Sequence, residues 1–158
     1  MMALEHGIAR LVEEFIAAGR PSSRQQNIDD RRAGYVASAV LAGESETRVQ
    51  VDDITLEGIN FRVVSPQNAA GPLPTVIYYH GGCFVSGGFA THDKQWRQLA
   101  YDSGCRVIAV QYRLAPEQTF PAAHDDAERG AQIIRRHAEA LGVDTSQITL
   151  AGDSAGGN

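Results

Sequence analysis

Five residues, Gly152-Asp153-Ser154-Ala155-Gly156, set a serine among small neighbours directly after the apolar run Ile148-Thr149-Leu150-Ala151. A strand ending in G-x-S-x-G can turn sharply enough into a helix to stand its serine hydroxyl clear of the backbone, ready to attack an acyl carbon. Glycine is suited to the flanking positions because a side chain there would crowd the turn. The same pentapeptide also fits a glycine-rich loop that merely ends a strand, and the motif alone does not separate the two readings.

A second feature, His80-Gly81-Gly82-Cys83, follows the apolar run Thr75-Val76-Ile77-Tyr78-Tyr79. Backbone N–H groups in such a loop can face the oxygen on which negative charge develops during acyl transfer, and glycine lets that backbone approach closely. An ordinary turn after a strand is the alternative when His-Gly-Gly is taken alone.

The elements that must position these loops are legible in the hydrophobic pattern. Leu4, Ile8, Leu11, Val12 and Phe15 recur at helical spacing and stop at Gly19 and Pro21, and a second helical stretch covers residues 28–41 and ends at Gly43. Alternating strands follow from Val49 to Leu56 and from Ile59 to Val63, joined as a hairpin at Glu57-Gly58. Beyond them the spacing predicts a buried strand over 75–79, a helix over 93–103 stopped by Gly104, and a buried strand over 107–110. A helix with Ala127, Ala131, Ile134, Ala138 and Leu141 on one stripe then ends at Gly142 and leads to a last strand over 148–151. Strands alternating with helices imply an α/β fold with a mostly parallel sheet and flanking helices. Two regions are expected: an N-terminal helical cap over residues 1–45 and an α/β region over 46–158.

Composition narrows the function classes. With 14 basic against 19 acidic side chains and a net charge of -5, the chain offers no basic surface for a phosphate backbone, so nucleic acid is not an expected partner. Charged residues interrupt residues 1–20, which excludes a signal-peptide apolar region there, and no apolar run approaches the roughly 20 residues of a membrane span. Two cysteines, Cys83 and Cys105, are too few for a disulfide framework, and are expected as free thiols. The expected location is cytoplasmic.

The two loops occur in this order with Tyr112-Arg113-Leu114-Ala115-Pro116-Glu117 and Phe120-Pro121-Ala122-Ala123-His124-Asp125-Asp126-Ala127 between them. Together they resemble the bacterial hormone-sensitive-lipase family of α/β-hydrolases, across nearly the whole chain. The resemblance implies a carboxylesterase in which Ser154 forms an acyl-enzyme with a small-molecule ester, without cofactor or metal. It also implies oxyanion donors at the N–H groups of Gly82, Cys83 and Ala155, with Gly81 shaping the turn. Cys83 departs from the family's His-Gly-Gly-Gly, which puts the donor geometry there in question. The resemblance further suggests cis bonds before Pro116 and Pro121. A lone histidine is more often structural than catalytic, so His80, His92 and His124 are expected to be structural, with His80 holding its own loop by hydrogen bonds. Arg113, Glu117 and Asp125 are expected to form polar links bracing loops beneath the elbow.

In this fold the triad runs serine, acid, histidine along the chain, and only four residues follow Ser154. The triad acid and histidine are therefore expected to be absent from this chain, which would be the N-terminal part of a longer esterase, a truncated α/β-hydrolase fold. Alone it is expected to be inactive and poorly soluble. Two other readings remain open: a truncated, non-catalytic homologue binding an acyl ligand or partner, and a subunit completed by another polypeptide such as the missing C-terminal half.

Overall fold

The structure, a computed structural model, describes residues 5–19, 21–22 and 24–158. Helix α1 (His6–Ala17) begins where the Glu5 carboxylate accepts from the amides of Gly7 and Ile8, and α2 (Ile28–Ser38) begins where the Asn27 side chain accepts from Asp30 N–H. A 3-10 turn, Ala39–Ala42, continues α2 to Gly43. The second helical stretch is thus an α-helix plus a tighter turn, while Leu4, assigned to the first helix, lies outside the described residues. None of the side chains of α1 is buried: Phe15 and Ile16 are 59% and 70% exposed, so its apolar stripe faces outward.

Strands β1 (Val49–Leu56) and β2 (Ile59–Pro66) form the expected hairpin. Its two connecting residues, Glu57 at φ 49° and Gly58 at φ 82°, are both left-handed, as a two-residue hairpin turn that follows strand twist requires. Then follow β3 (Leu73–Tyr79), α3 (Phe89–Ser103), β4 (Arg106–Gln111), α4 (Ala122–Arg136) and β5 (Val143–Gly152), with a closing 3-10 turn at Ser154–Gly157.

The five strands lie in the order β1-β2-β4-β3-β5. β4, β3 and β5 are parallel, whereas β1 and β2 enter as a hairpin and β2 pairs antiparallel with β4, so the sheet is parallel in its C-terminal three strands and mixed as a whole. Alternation along the inner strands divides the core. Phe61, Ile77, Ile108 and Val110 pack with Ile133 and Ile134 of α4 on one face, while Val64, Tyr78, Val107 and Ala109 pack with Trp96 and Ala100 of α3 on the other. The parallel strands thus direct β3 and β5 side by side, and the loops at their carboxyl ends meet.

Two helix boundaries differ from the sequence pattern. α3 starts at Phe89, a turn earlier than expected, because Gly88 at φ 136° ends the preceding loop and its carbonyl accepts from Thr91 and His92. α4 ends at Arg136, and Leu141 reaches the core from a turn beyond it. The buried stripe of α4 is Ala122, Asp126, Gly130, Ile133 and Ile134, with Ala127 and Ala131 only half-buried. Gly130 sets this rotation: a Cβ there would lie 2.8 Å from Val110, so the helix can rest closely on β4.

Among the described residues no helix is long and apolar enough to cross a membrane. Cys83 and Cys105 are free thiols, as expected. Ala115-Pro116 and Phe120-Pro121 are both cis, also as expected.

Candidate active site

Ser154 follows β5 directly, exposed, at φ 51°. A non-glycine residue pays steric strain in that left-handed region, which is what a sharp strand-to-helix turn imposes on its apical residue. The flanking glycines are compulsory: a Cβ on Gly156 would collide with the Tyr79 carbonyl of β3, and one on Gly152 would collide with the Gly156 carbonyl. The turn is closed by Gly156 N–H donating to Asp153 O at 2.8 Å.

The neighbouring loop, residues 80–84, carries Gly82 at φ 129°, Cys83 at φ 57° and Phe84 at φ 60°. Val85 N–H and Ser86 N–H both donate to Gly82 O, at 3.1 and 3.0 Å, and a Cβ on Gly82 would collide with Ser86 O. Among the described residues no acceptor in the chain engages the amides of Gly82, Cys83 or Ala155. Gly81 differs, because its amide donates to Asp153 Oδ1 at 2.9 Å. Gly81 therefore shapes the loop, and the three free amides are the ones able to serve an oxyanion.

Asp153 is the hub that sequence reasoning missed. Besides Gly81, its carboxylate accepts from the Tyr78 hydroxyl at 3.1 Å, and His92 Nε2 lies 3.3 Å from Oδ1. Gln95 donates to the same Tyr78 oxygen at 2.7 Å, and burial together with the Asp153 charge pushes the Tyr78 hydroxyl up to about 12, so it stays a donor. The available signal was an acidic residue inside an otherwise small-residue turn.

His80 is fully buried and stacked on Tyr112, with ring centroids 4.2 Å apart. Its Nδ1–H donates to Gly81 O at 2.8 Å, and the Tyr112 hydroxyl donates to His80 O. Burial pushes this imidazole down to about 4, so it is neutral near pH 7 and acts as a post for the loop. His92 braces Asp153, and His124 stacks on Phe84. Among the described residues no histidine hydrogen-bonds to Ser154, and none of these three is placed as its base.

Arg113 and Glu117 form polar links as expected, whereas Asp126 takes the place expected of Asp125. Arg113 pairs with Asp126, whose carboxylate takes Nε at 2.7 Å, Nη2 at 2.8 Å and the Arg113 amide at 3.0 Å. Asp126 rather than Asp125 turns inward because it lies on the buried stripe of α4. Glu117 instead pairs with Arg32 of α2. Beside the elbow, an apolar groove of about 430 Å³ runs between α4 and β5, bordered by Phe84, Tyr112, Leu150, Ala155 and Gly156.

A strand-turn serine facing a glycine loop at the carboxyl ends of two adjacent parallel strands defines the α/β-hydrolase class. Residues 76–158, more than half of the chain, match the family described as the alpha/beta hydrolase fold, and the chain belongs to it, among its hormone-sensitive-lipase-like members. It is similar to carboxylesterase NlhH of Mycobacterium tuberculosis, 40% identical over 116 residues that cover 72% of this chain and 36% of that protein. It is also similar to the ethyl acetate hydrolase of Pseudomonas putida, 35% identical over 158 residues covering 94% of this chain and 50% of the relative. Among solved structures, a hyperthermophilic esterase from the archaeon Pyrobaculum calidifontis superposes with a TM-score of 0.83 at 40% identity, covering 99% of this chain and 51% of that one. The chain thus spans from about a third to about half of the length of these relatives.

Proposed function

We propose that this chain supplies the nucleophile and the oxyanion donors of a serine carboxylesterase, and that the triad acid and histidine come from polypeptide outside these residues. The observation that carries the reading is Ser154 at φ 51° after β5, fixed through Asp153 to the loop whose Gly82 and Cys83 amides are free, as is the Ala155 amide beside Ser154. Ser154 Oγ attacks the ester carbonyl carbon, and the carbonyl oxygen becomes an oxyanion facing those three N–H groups. Collapse expels the alcohol and leaves an acyl-Ser154 ester, which water cleaves to the acid and free serine.

Both steps need a base to take a proton, first from Ser154 and then from water. His80 is fully buried and donates Nδ1–H to Gly81 O, His92 faces Asp153, and among the described residues neither hydrogen-bonds to Ser154, so neither fills that role. The chain alone is therefore inactive in this reading. Residues 1–45 act as a helical cap and residues 46–158 as the N-terminal part of the catalytic domain. Relatives named ethyl acetate hydrolase and acetyl esterase favour small carboxylic esters with short acyl groups. Two unpaired cysteines favour a reducing compartment such as the cytoplasm.

The test is hydrolysis of a short-chain chromogenic ester by the purified protein, with Ser154→Ala as control and a denaturing intact mass of the same sample. Hydrolysis abolished in the control, in a sample containing a longer or second polypeptide, supports the reading. Hydrolysis that survives Ser154→Ala overturns it, and a sample that contains the longer or second polypeptide yet does not hydrolyse favours a non-catalytic homologue.

A further inference from the structure

We infer that Arg32, on α2 of the helical cap, is a positioning residue that holds the oxyanion loop in its left-handed conformation; this rests on the esterase reading above. Its guanidinium makes four hydrogen bonds to three residues in two segments far away in the sequence. Nε donates to Val85 O at 2.7 Å, Nη2 to Ala115 O at 3.0 Å, and Nη1 and Nη2 to the two Glu117 oxygens at 2.7 Å each.

The acceptors decide what this arrangement does. Val85 directly follows Cys83 and Phe84, the two non-glycine residues held at φ 57° and 60°. The carbonyl of Phe84 accepts from Ala115 N–H at 2.8 Å, and the carbonyl of Ala115 is in turn held by Arg32. Arg32, Val85, Phe84 and Ala115 therefore close a ring that includes Phe84 and directly follows Cys83. Left-handed conformers of side-chain-bearing residues persist only where the surroundings over-determine them. With the ring opened, the peptide planes at Cys83 and Phe84 can rotate toward the ordinary region, and the Cys83 N–H turns with them.

Arginine is required by geometry. Its planar fork meets a carboxylate with two parallel bonds while Nε stays free for a carbonyl, whereas lysine offers one compact ammonium. The contact also has a consequence for the cap. No side chain of α2 is buried, so its register over the site depends on polar anchors, and this anchor is also the clasp on the oxyanion loop. Cap position and donor geometry are thus set by one side chain.

The test compares Arg32→Met, which keeps the stem, Arg32→Lys, and Arg48→Met as a control for loss of a surface arginine. Hydrogen exchange on the purified protein should show the Ala115 and Ser86 amides exchanging about tenfold faster in Arg32→Met, with the β4 amides of residues 107–110 and the Arg48→Met protein unchanged. In ester hydrolysis kcat should fall about ten- to a hundredfold with KM within about twofold, and Arg32→Lys should recover only part of the loss. Unchanged exchange at Ala115 and Ser86 would overturn the inference, as would acceleration that includes β4 equally, which marks general destabilisation. A wild-type sample whose intact mass includes the longer or second polypeptide, yet which shows no Ser154-dependent hydrolysis, overturns the esterase reading alone, because the exchange experiment reads Arg32's hold on the loop without turnover.

Discussion

The backbone amide of Gly81 donates to Oδ1 of Asp153 across 2.9 Å, joining the loop after β3 to the residue that precedes Ser154. The loop after β3 and the Ser154 turn are joined across 72 residues of sequence, and this bond makes their spacing a property of one carboxylate. Asp153→Asn keeps an oxygen acceptor for Gly81 and Tyr78, whereas Asp153→Ala keeps none. In Ser154-dependent hydrolysis, kcat is expected to fall by about 10- to 100-fold for Asp153→Ala and by under about fivefold for Asp153→Asn, with KM nearly constant. Gly81→Ala should match or exceed the alanine variant, because its Cβ would collide with the Asp153 carboxylate. Steady-state kinetics on the three variants checks this.

Cys83, a residue with a side chain, is held at φ 57° with its amide free. Cys83→Gly removes left-handed strain worth about 1–2 kcal/mol but adds unfolded-state freedom worth about 0.5–1 kcal/mol. Stability should rise by at most about 1.5 kcal/mol, and kcat should change by less than about threefold because the proposed donor is backbone. A tenfold gain in kcat would mean that the cysteine distorts the donor.

His80 makes stability depend on pH. Burial holds its pKa at about 4, against about 6.5 in an unfolded chain, so between those values the unfolded state binds a proton that the folded state refuses. The contribution is complete above about pH 6.5 and is lost as pH falls toward 4, with a total of about 3 kcal/mol. The Glu46 and Glu117 carboxyls, each held at about 2 by an arginine partner, act below this window. Thermal melts from pH 7 to 4.5 should show a falling midpoint that flattens in His80→Gln; equal slopes in the two proteins would contradict it.

The Arg113–Asp126 pair anchors the loop between β4 and α4. Asp126 is 3% exposed and satisfies three Arg113 donors, so Asp126→Ala strands them, at a cost of about 2 kcal/mol after discounting for the half-exposed arginine. The melting midpoint should drop by roughly 4–8 °C. Asp125→Ala, on the exposed side of α4, should change it by under about 2 °C.

Local pattern carried most of the fold into view. The hairpin at Glu57-Gly58, the buried runs of β3 and β4, and the elbow glycines all follow from neighbours in sequence. What stayed hidden depends on long-range partners. Arg32 reaches residues 53 to 85 positions away, so no spacing rule pairs it with Glu117 or Val85. Asp125 and Asp126 are adjacent, and only the rotation that Gly130 allows α4 decides which one meets Arg113. The periodicity of α1 is real, yet its stripe faces outward, because amphipathicity reports a face suited to burial and not what covers it.

Whether Ser154 is the nucleophile is tested most directly by treating the purified protein with a serine-reactive phosphonate, following short-chain ester hydrolysis, and locating the adduct by peptide mass. One adduct per chain on Ser154, formed in step with loss of hydrolysis and absent from Ser154→Ala, is the expected result. A preparation that hydrolyses the ester while its adduct lies elsewhere, or that keeps its activity with Ser154 fully labelled, would contradict it.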